Sequence, residues 1–254
     1  HLRSLDEILV CSNWAKDIIA KEVGEIPTRV APLGVDREIF FDTPVNKDAP
    51  HVFLNCGKWS LNKGHDFLII AFNQAFNEDD NVELWMVNHN PFLNESETAE
   101  WINYYKRSKL GLKVKFIPRL PTQKDLSNLM RQAHCGVLPS RAEGFNLELL
   151  EIMSCGRQVI TTNYSGHTEF CNSSNSKLID IVELEDAYDG KWLMGGNGEW
   201  AKIGTTELDR LSQLMIESYK AGATFNAEGV ETAKRFSWCN AAKAVQKGIN
   251  NESL

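Results

Sequence analysis

The sequence predicts an α/β domain built on a doubly wound, Rossmann-like parallel sheet, and three observations point there. Short runs that are almost wholly apolar (51–57, 82–87, 135–138, 158–161) alternate with amphipathic stretches of helical period. Strands that apolar belong to sheets covered on both faces. Two of these runs lead directly through glycine-bearing loops into helices, as at the carboxyl edge of an open α/β sheet. The 254 residues are 43% hydrophobic and 24% charged, which suits a globular chain with a sizeable core.

Taken in order, residues 7–11 read as a strand, and Ser12 caps a helix carrying Lys16, Ile18, Ile19 and Val23. Residues 29–36 form a short strand ending in a turn at Gly34. Residues 42–50, with two prolines and several charges, read as a linker or exposed loop. A strand at 51–57 opens the regular alternation. It continues as helix 62–76, strand 82–87, helix 98–109, strand 114–117, helix 123–131, strand 135–138, helix 147–155 and strand 158–161. Beyond Ile179 the pattern loosens into a Gly- and Trp-containing stretch at 189–204. Helices resume over 207–219 and 226–249, the latter broken at Phe236-Ser237.

A net charge of -7 argues against a nucleic-acid partner, because phosphate-backbone binding needs a basic face. No apolar run approaches the roughly 20 residues that span a bilayer. The six cysteines (Cys11, Cys56, Cys135, Cys155, Cys171, Cys239) lack CxxC spacing and read as buried free thiols of a cytoplasmic protein. The histidines form no metal-ligand pattern. The Asn-x-Ser sequons at Asn94, Asn172 and Asn251 are read as chance. The chain opens on His1-Leu2-Arg3 without an initiator methionine, as a piece of a longer protein would.

Two segments carry chemistry. Gly57-Lys58-Trp59-Ser60-Leu61-Asn62-Lys63-Gly64 links strand to helix, with a glycine for the tight exit and lysines bracketing the turn. It suits an anion bearing two phosphates, although a solvated loop with lysines by chance also fits. Pro139-Ser140-Arg141-Ala142-Glu143-Gly144-Phe145-Asn146-Leu147 leads into a helix ending at Cys155-Gly156. Free N–H groups of Phe145 to Leu147 would attract an anion. Glu151, between Leu150 and Ile152, calls for hydroxyl donors such as a ribose offers, unless it lies on an exposed face.

Together these segments resemble glycosyltransferase family 4, the retaining GT-B group, whose members show Gly-Arg-x-x-x-x-Lys-Gly and later Pro-Ser-x-x-Glu-Gly-Phe-Gly before a helix ending in Cys-Gly. Glu143 and Glu151 match the family's E-x7-E spacing. Pro32-Leu33-Gly34-Val35-Asp36 looks like its interdomain segment, Thr162 to Glu169 like its glycine-containing loop, and Phe236-Ser237-Trp238 like the start of its terminal helix. The resemblance implies the C-terminal half of a GT-B fold. Residues 1–35 would be the end of the acceptor domain with a linker, 36–235 the nucleotide-sugar domain, and 236–254 a helix crossing back to an N-terminal domain not contained in the chain.

The resemblance also implies roles. Lys58 and Lys63, following Gly57, contact the donor diphosphate. Glu143 binds sugar hydroxyls with the backbone N–H groups of Gly144, Phe145, Asn146 and Leu147. Glu151 takes the ribose, and Arg119 and Leu120, in the loop Ile117-Pro118-Arg119-Leu120, meet the base. Lys58 stands where arginine is usual, Asn146 where glycine is, and Glu148 where a small residue or proline is. With no Asp-x-Asp at the end of an apolar strand, the expected reaction is metal-free and cofactor-free transfer from a nucleotide-diphospho-sugar, with retention, to an unknown acceptor. A GT-B sugar-nucleotide epimerase, a sugar phosphorylase and a non-catalytic nucleotide-sugar-binding module remain as alternatives.

Overall fold

The computed structural model describes residues 2–48 and 50–249. A short 3₁₀ turn leads into β1 (Ile8–Val10), α1 (Asn13–Val23) and β2 (Thr28–Val30), with β1 and β2 paired in parallel. Ser12 caps α1 by accepting from the Ala15 N–H at 3.2 Å, as its position predicts. The strand expected at 29–36 stops at Val30, and only Val35 pairs again, in an isolated bridge with Ser237.

The central sheet then follows: β3 (His51–Gly57), α2 (His65–Ala75), β4 (Val82–Asn88), α3 (Glu95–Lys106), β5 (Val114–Phe116), α4 (Gln123–Met130), β6 (Cys135–Leu138), α5 (Leu147–Ser154), β7 (Gln158–Thr162) and β8 (Lys177–Ile179). Its six strands are all parallel, in the order β5-β4-β3-β6-β7-β8. The chain builds outward from β3 on one side, then restarts at β6 on the other. The switch point therefore lies between the carboxyl ends of β3 and β6, where open α/β sheets bind ligands.

Alternation along β3 shows why the apolar runs fold this way. Phe53 points into a core shared with Phe67, Leu68 and Phe72 of α2. Val52, Leu54 and Cys56 point into the opposite core with Leu149, Ile152 and Met153 of α5. Both faces are covered, as the sequence predicts. Cys56, Cys135, Cys155 and Cys171 are buried free thiols. The expectation fails at Cys11, which is half-buried, and at Cys239, which is exposed early in the terminal helix.

Helix starts differ in two places. The stretch expected as helix 62–76 opens as a 3₁₀ turn (Leu61–Lys63), and left-handed Gly64 (φ 73°) separates it from α2. The helix expected from residue 98 starts at Glu95, because Asn94 and Glu97 close a reciprocal capping box. Asn94 of that sequon is thus a cap. Asn172 accepts in a turn from Ser174, and Asn251 lies outside the described residues.

The stretch that loses its pattern after Ile179 is a hairpin, β9 (Leu184–Tyr188) with antiparallel β10 (Met194–Ala201), outside the main sheet. Helices α6 (Thr205–Ala221), α7 (Ala227–Arg235) and α8 (Trp238–Ile249) complete the chain. Among the described residues no helix is long and apolar enough to cross a membrane.

Candidate functional site

The loops after β3 and β6 are stitched together at the switch point. The Arg141 N–H donates to the Asn62 carbonyl at 2.7 Å. The Arg141 guanidinium binds Asp66 through both nitrogens, at 2.7 and 2.8 Å, and the Leu61 carbonyl at 2.6 Å. Bidentate pairing fixes orientation as well as distance. Gly64 makes the close approach possible, since a Cβ there would lie 2.2 Å from the Pro139 carbonyl oxygen.

Behind the β3 loop, the Ser60 N–H donates to His65 Nδ1 at 3.1 Å, so Nε2 carries the proton toward Asn55 Oδ1 at 3.0 Å. Asn88 donates to the same Asn55 oxygen at 2.8 Å. Burial, with Lys63 nearby, pushes His65 down to about 3. It is a neutral strut between the loop and β3.

A cleft of about 650 Å³ opens at this edge, lined by Lys58, Lys63, Asn90, Glu143, Glu148 and Trp192 among others. Lys63 Nζ lies 2.7 Å from Glu143 and 3.7 Å from Glu148, with both its side chain and that of Glu143 largely buried. Burial opposes the Lys63 charge, but the two carboxylates outweigh it and hold its pKa above the ordinary value. Burial pushes Glu143 upward against the pull of Lys63. The Ser140 hydroxyl donates to Glu143 at 2.8 Å, and the Glu143 N–H donates to Ser165 at 2.9 Å, so the loop holds this acid from both sides. Lys58 is exposed at the mouth of the cleft, with its ammonium 5.2 Å from the Phe92 ring centroid. Gly57, with φ at 132°, lies against both Lys63 and Glu148.

Past Glu143 the chain turns into α5 through Asn146, in left-handed conformation at φ 69°. The N–H groups of Gly144, Phe145, Asn146 and Leu147 have no acceptor among the described residues, so the helix presents a run of open donors. The Phe145 ring itself is core, packed 5.0 Å from Phe170. Both polar atoms of the Asn146 amide are buried without a partner.

One turn along, Glu151 is only 7% exposed. Burial, with the Glu148 charge adding, pushes it up to about 8. No side chain among the described residues donates to its carboxylate.

The structure thus gathers Gly57, Lys58, Lys63, Glu143 and the backbone from Gly144 to Leu147 at one edge. Glu151 sits on the next turn of the same helix. It does not bring Arg119 or Leu120 to the cleft: both lie on the loop after β5, Arg119 exposed and Leu120 half-exposed. Glu148, which in the sequence only stands where a small residue or proline is usual, joins the site. Its placement one helical turn before Glu151 was the available signal. Asn90, Phe92 and the hairpin tip (Asp189, Trp192, Leu193) also line the cleft, and no motif marked them. The Asp189 carboxylate accepts from the N–H groups of Lys191, Trp192 and Leu193 at 2.7–2.9 Å, which shapes that tip. Among the described residues no three His, Cys, Asp or Glu side chains are grouped to hold a metal ion.

A family model described as Glycosyl transferases group 1 matches residues 50–188. A GDP-mannose:cellobiosyl-diphosphopolyprenol alpha-mannosyltransferase of Xanthomonas campestris is 31% identical over 173 residues, covering 68% of this chain and 44% of that protein. Mannosylfructose-phosphate synthase of Agrobacterium fabrum is 28% identical over 181 residues, 65% of this chain and 39% of that one. The chain therefore spans less than half the length of these relatives. Among solved structures, sucrose-phosphate synthase of Thermosynechococcus elongatus superposes with a TM-score of 0.74 at 20% identity, over 98% of this chain and 58% of that one. Anabaena HepE, in complex with UDP-glucose, does so with a TM-score of 0.73 at 20% identity, over 98% and 65%. Likeness at that identity speaks for the fold.

Proposed function

The chain belongs to the glycosyl transferases group 1 family, and from that premise we propose that it is the donor-binding half of a retaining, metal-independent glycosyltransferase. The observation that carries the reading is the meeting of Lys63, Glu143 and the open N–H run of residues 144–147 at the sheet's switch point. Glycosyl transfer breaks the bond between the anomeric carbon and the diphosphate, so negative charge grows on the leaving oxygen. Lys63, Lys58 and the α5 N-terminus offer fixed positive charge there, at no cost of reorganisation during reaction. An ammonium has three N–H donors, so Lys63 can serve a phosphate while keeping Glu143. Glu143 accepts from hydroxyls of the donor sugar and Glu151 from the ribose, while the base would have to extend beyond the cleft to meet the loop at Arg119 and Leu120.

The relatives' greater length supports a second domain that supplies the acceptor wall, and the reading includes such a partner. The relatives named above are transferases or synthases acting on sugars, which favours transfer over epimerisation. Calorimetric titration with UDP-glucose and GDP-mannose in excess EDTA tests the reading. Binding should persist in EDTA and weaken as salt rises. Strict dependence on Mg²⁺ or Mn²⁺ would overturn the role of the lysines, and silence toward every nucleotide-sugar would overturn the whole.

A further inference from the structure

A second cavity, of about 450 Å³, adjoins the cleft, and Asn62, Trp192 and Leu193 line both. Its far walls are the side of α1 that carries Trp14 and Glu22, the residue Tyr164 after β7, and β10 at Glu199. The Trp14 and Tyr164 rings meet edge to face at 6.0 Å. Trp192, 60% exposed on the hairpin tip, stands between the two cavities. Lys21 pairs with Glu199 at 3.0 Å and so ties α1 to β10.

We propose that this trough is an acceptor subsite and that its occupant is a pyranose ring. The assignment rests on the donor reading given above. A pyranose presents C–H faces that pack on aromatic rings, and a rim of hydroxyls that seeks acceptors. The trough offers both, in Trp14, Tyr164 and Trp192, and in Glu22, Glu199 and the Asn62 amide. A polyprenyl or acyl chain would pack on Ile18, Leu184 and Met194, but it would strip water from the Glu22 and Glu199 carboxylates without replacing their hydrogen bonds, as a sugar's hydroxyls do.

Position agrees with chemistry. Asn62 directly precedes Lys63, so a sugar in the trough is separated from the reacting centre by a single shared wall. Its hydroxyl needs to reach only past Asn62 and Trp192 to approach the carbon that leaves the diphosphate.

Saturation-transfer NMR on the full chain, with cellobiose, maltose and lactose as probes, tests the assignment. UDP-glucose and GDP-mannose are titrated on the same samples. Trp14→Leu and Tyr164→Leu keep an apolar side chain but remove the rings, and Glu199→Gln keeps the shape but removes the charge and with it the ion pair to Lys21; all lie outside the donor cleft. At least one disaccharide should take up saturation at its ring C–H protons. Its affinity should fall at least fivefold in each Leu variant that melts like wild type, and twofold or more in Glu199→Gln, while nucleotide-sugar affinity stays within twofold. A disaccharide signal that survives all three substitutions overturns the assignment. So does the absence of any disaccharide signal while a nucleotide-sugar binds, or saturation of farnesol in place of the sugars. If no nucleotide-sugar binds, the donor reading fails first and the subsite falls with it.

Discussion

Glu151 is a buried carboxyl waiting for donors, and its titration makes that testable. Its folded pKa, pushed up to about 8 by burial and by Glu148, exceeds the ordinary value for a free chain. For an acid raised in this way, the stabilising contribution is fully present below the unfolded pKa and is lost as pH rises through about 8. Melting curves of wild type and Glu151→Gln should therefore nearly coincide at pH 5, with the variant more stable at pH 8.5. If ribose hydroxyls bind the carboxylate, donor affinity should rise with pH below 8, by up to about tenfold per unit. Glu151→Ala should lose about 1.5–3 kcal/mol of binding, roughly 10- to 100-fold; calorimetric affinities within threefold of each other sink the ribose assignment. Asn146 is a different case. It sits at φ 69° with its whole amide buried and unpaired, a conformation glycine adopts freely and a burial that costs about 1–3 kcal/mol. Asn146→Gly should raise stability by about 1 kcal/mol in urea titration, and a loss of stability refutes this account. Lys58, Lys63, Glu143 and Glu151 were legible in the sequence because their spacing is tied to strand ends and to one helix. Glu148 was legible only as a face-mate of Glu151 one turn away, since nothing local shows that it reaches Lys63.

At the scale of elements, the sheet was legible and the hairpin was not, and the reason is burial. β3 and β6 are packed on both faces, so their apolar runs are nearly unbroken. β9 and β10 lie outside the sheet with Tyr188 and Met194 exposed, and glycines at 195, 196 and 198 with positive φ break any period. No alternation can be read where no face is consistently hidden. The first turn of α3 was missed for a related reason: Glu95, Ser96 and Glu97 look like loop, and the capping pair Asn94–Glu97 had to be recognised instead. The turn between β3 and α2 is where element geometry controls the site. Gly64→Ala would place a methyl against the Pro139 carbonyl and force φ 73° on a residue with a side chain. A loss of about 2–4 kcal/mol is expected in chemical denaturation. Because Lys63 is the preceding residue, donor affinity should fall with it. A variant as stable and as tight as wild type would mean that the two loops do not need this contact.

For the whole molecule, the proposal of a half-site makes a kinetic prediction. Holding donor and acceptor in attack geometry can supply roughly 7–11 kcal/mol of a barrier, and the relatives are more than twice the length of the matched span. This chain should bind donor yet transfer sugar far more slowly than a protein that includes an acceptor domain. Assay of both with one donor and one acceptor decides it, and rates within about tenfold refute the half-site proposal. The ends of the Rossmann-like unit carry a separate lesson. Val35 pairs with Ser237, its N–H bonded to the Phe236 carbonyl at 2.9 Å, and Gly34 lies so close that a Cβ would reach within 2.1 Å of the Ser237 backbone. Two stretches of chain some two hundred positions apart in sequence therefore run side by side at about one strand spacing, roughly 5 Å. A module whose entrance and exit coincide can be spliced into a surface turn of an unrelated host without stretching either partner. Residues 36–236 would in that sense be a cassette entered and left at one place, with Ser12, Asn13 and Lys21 adding side-chain ties to Gly144, Glu169 and Glu199.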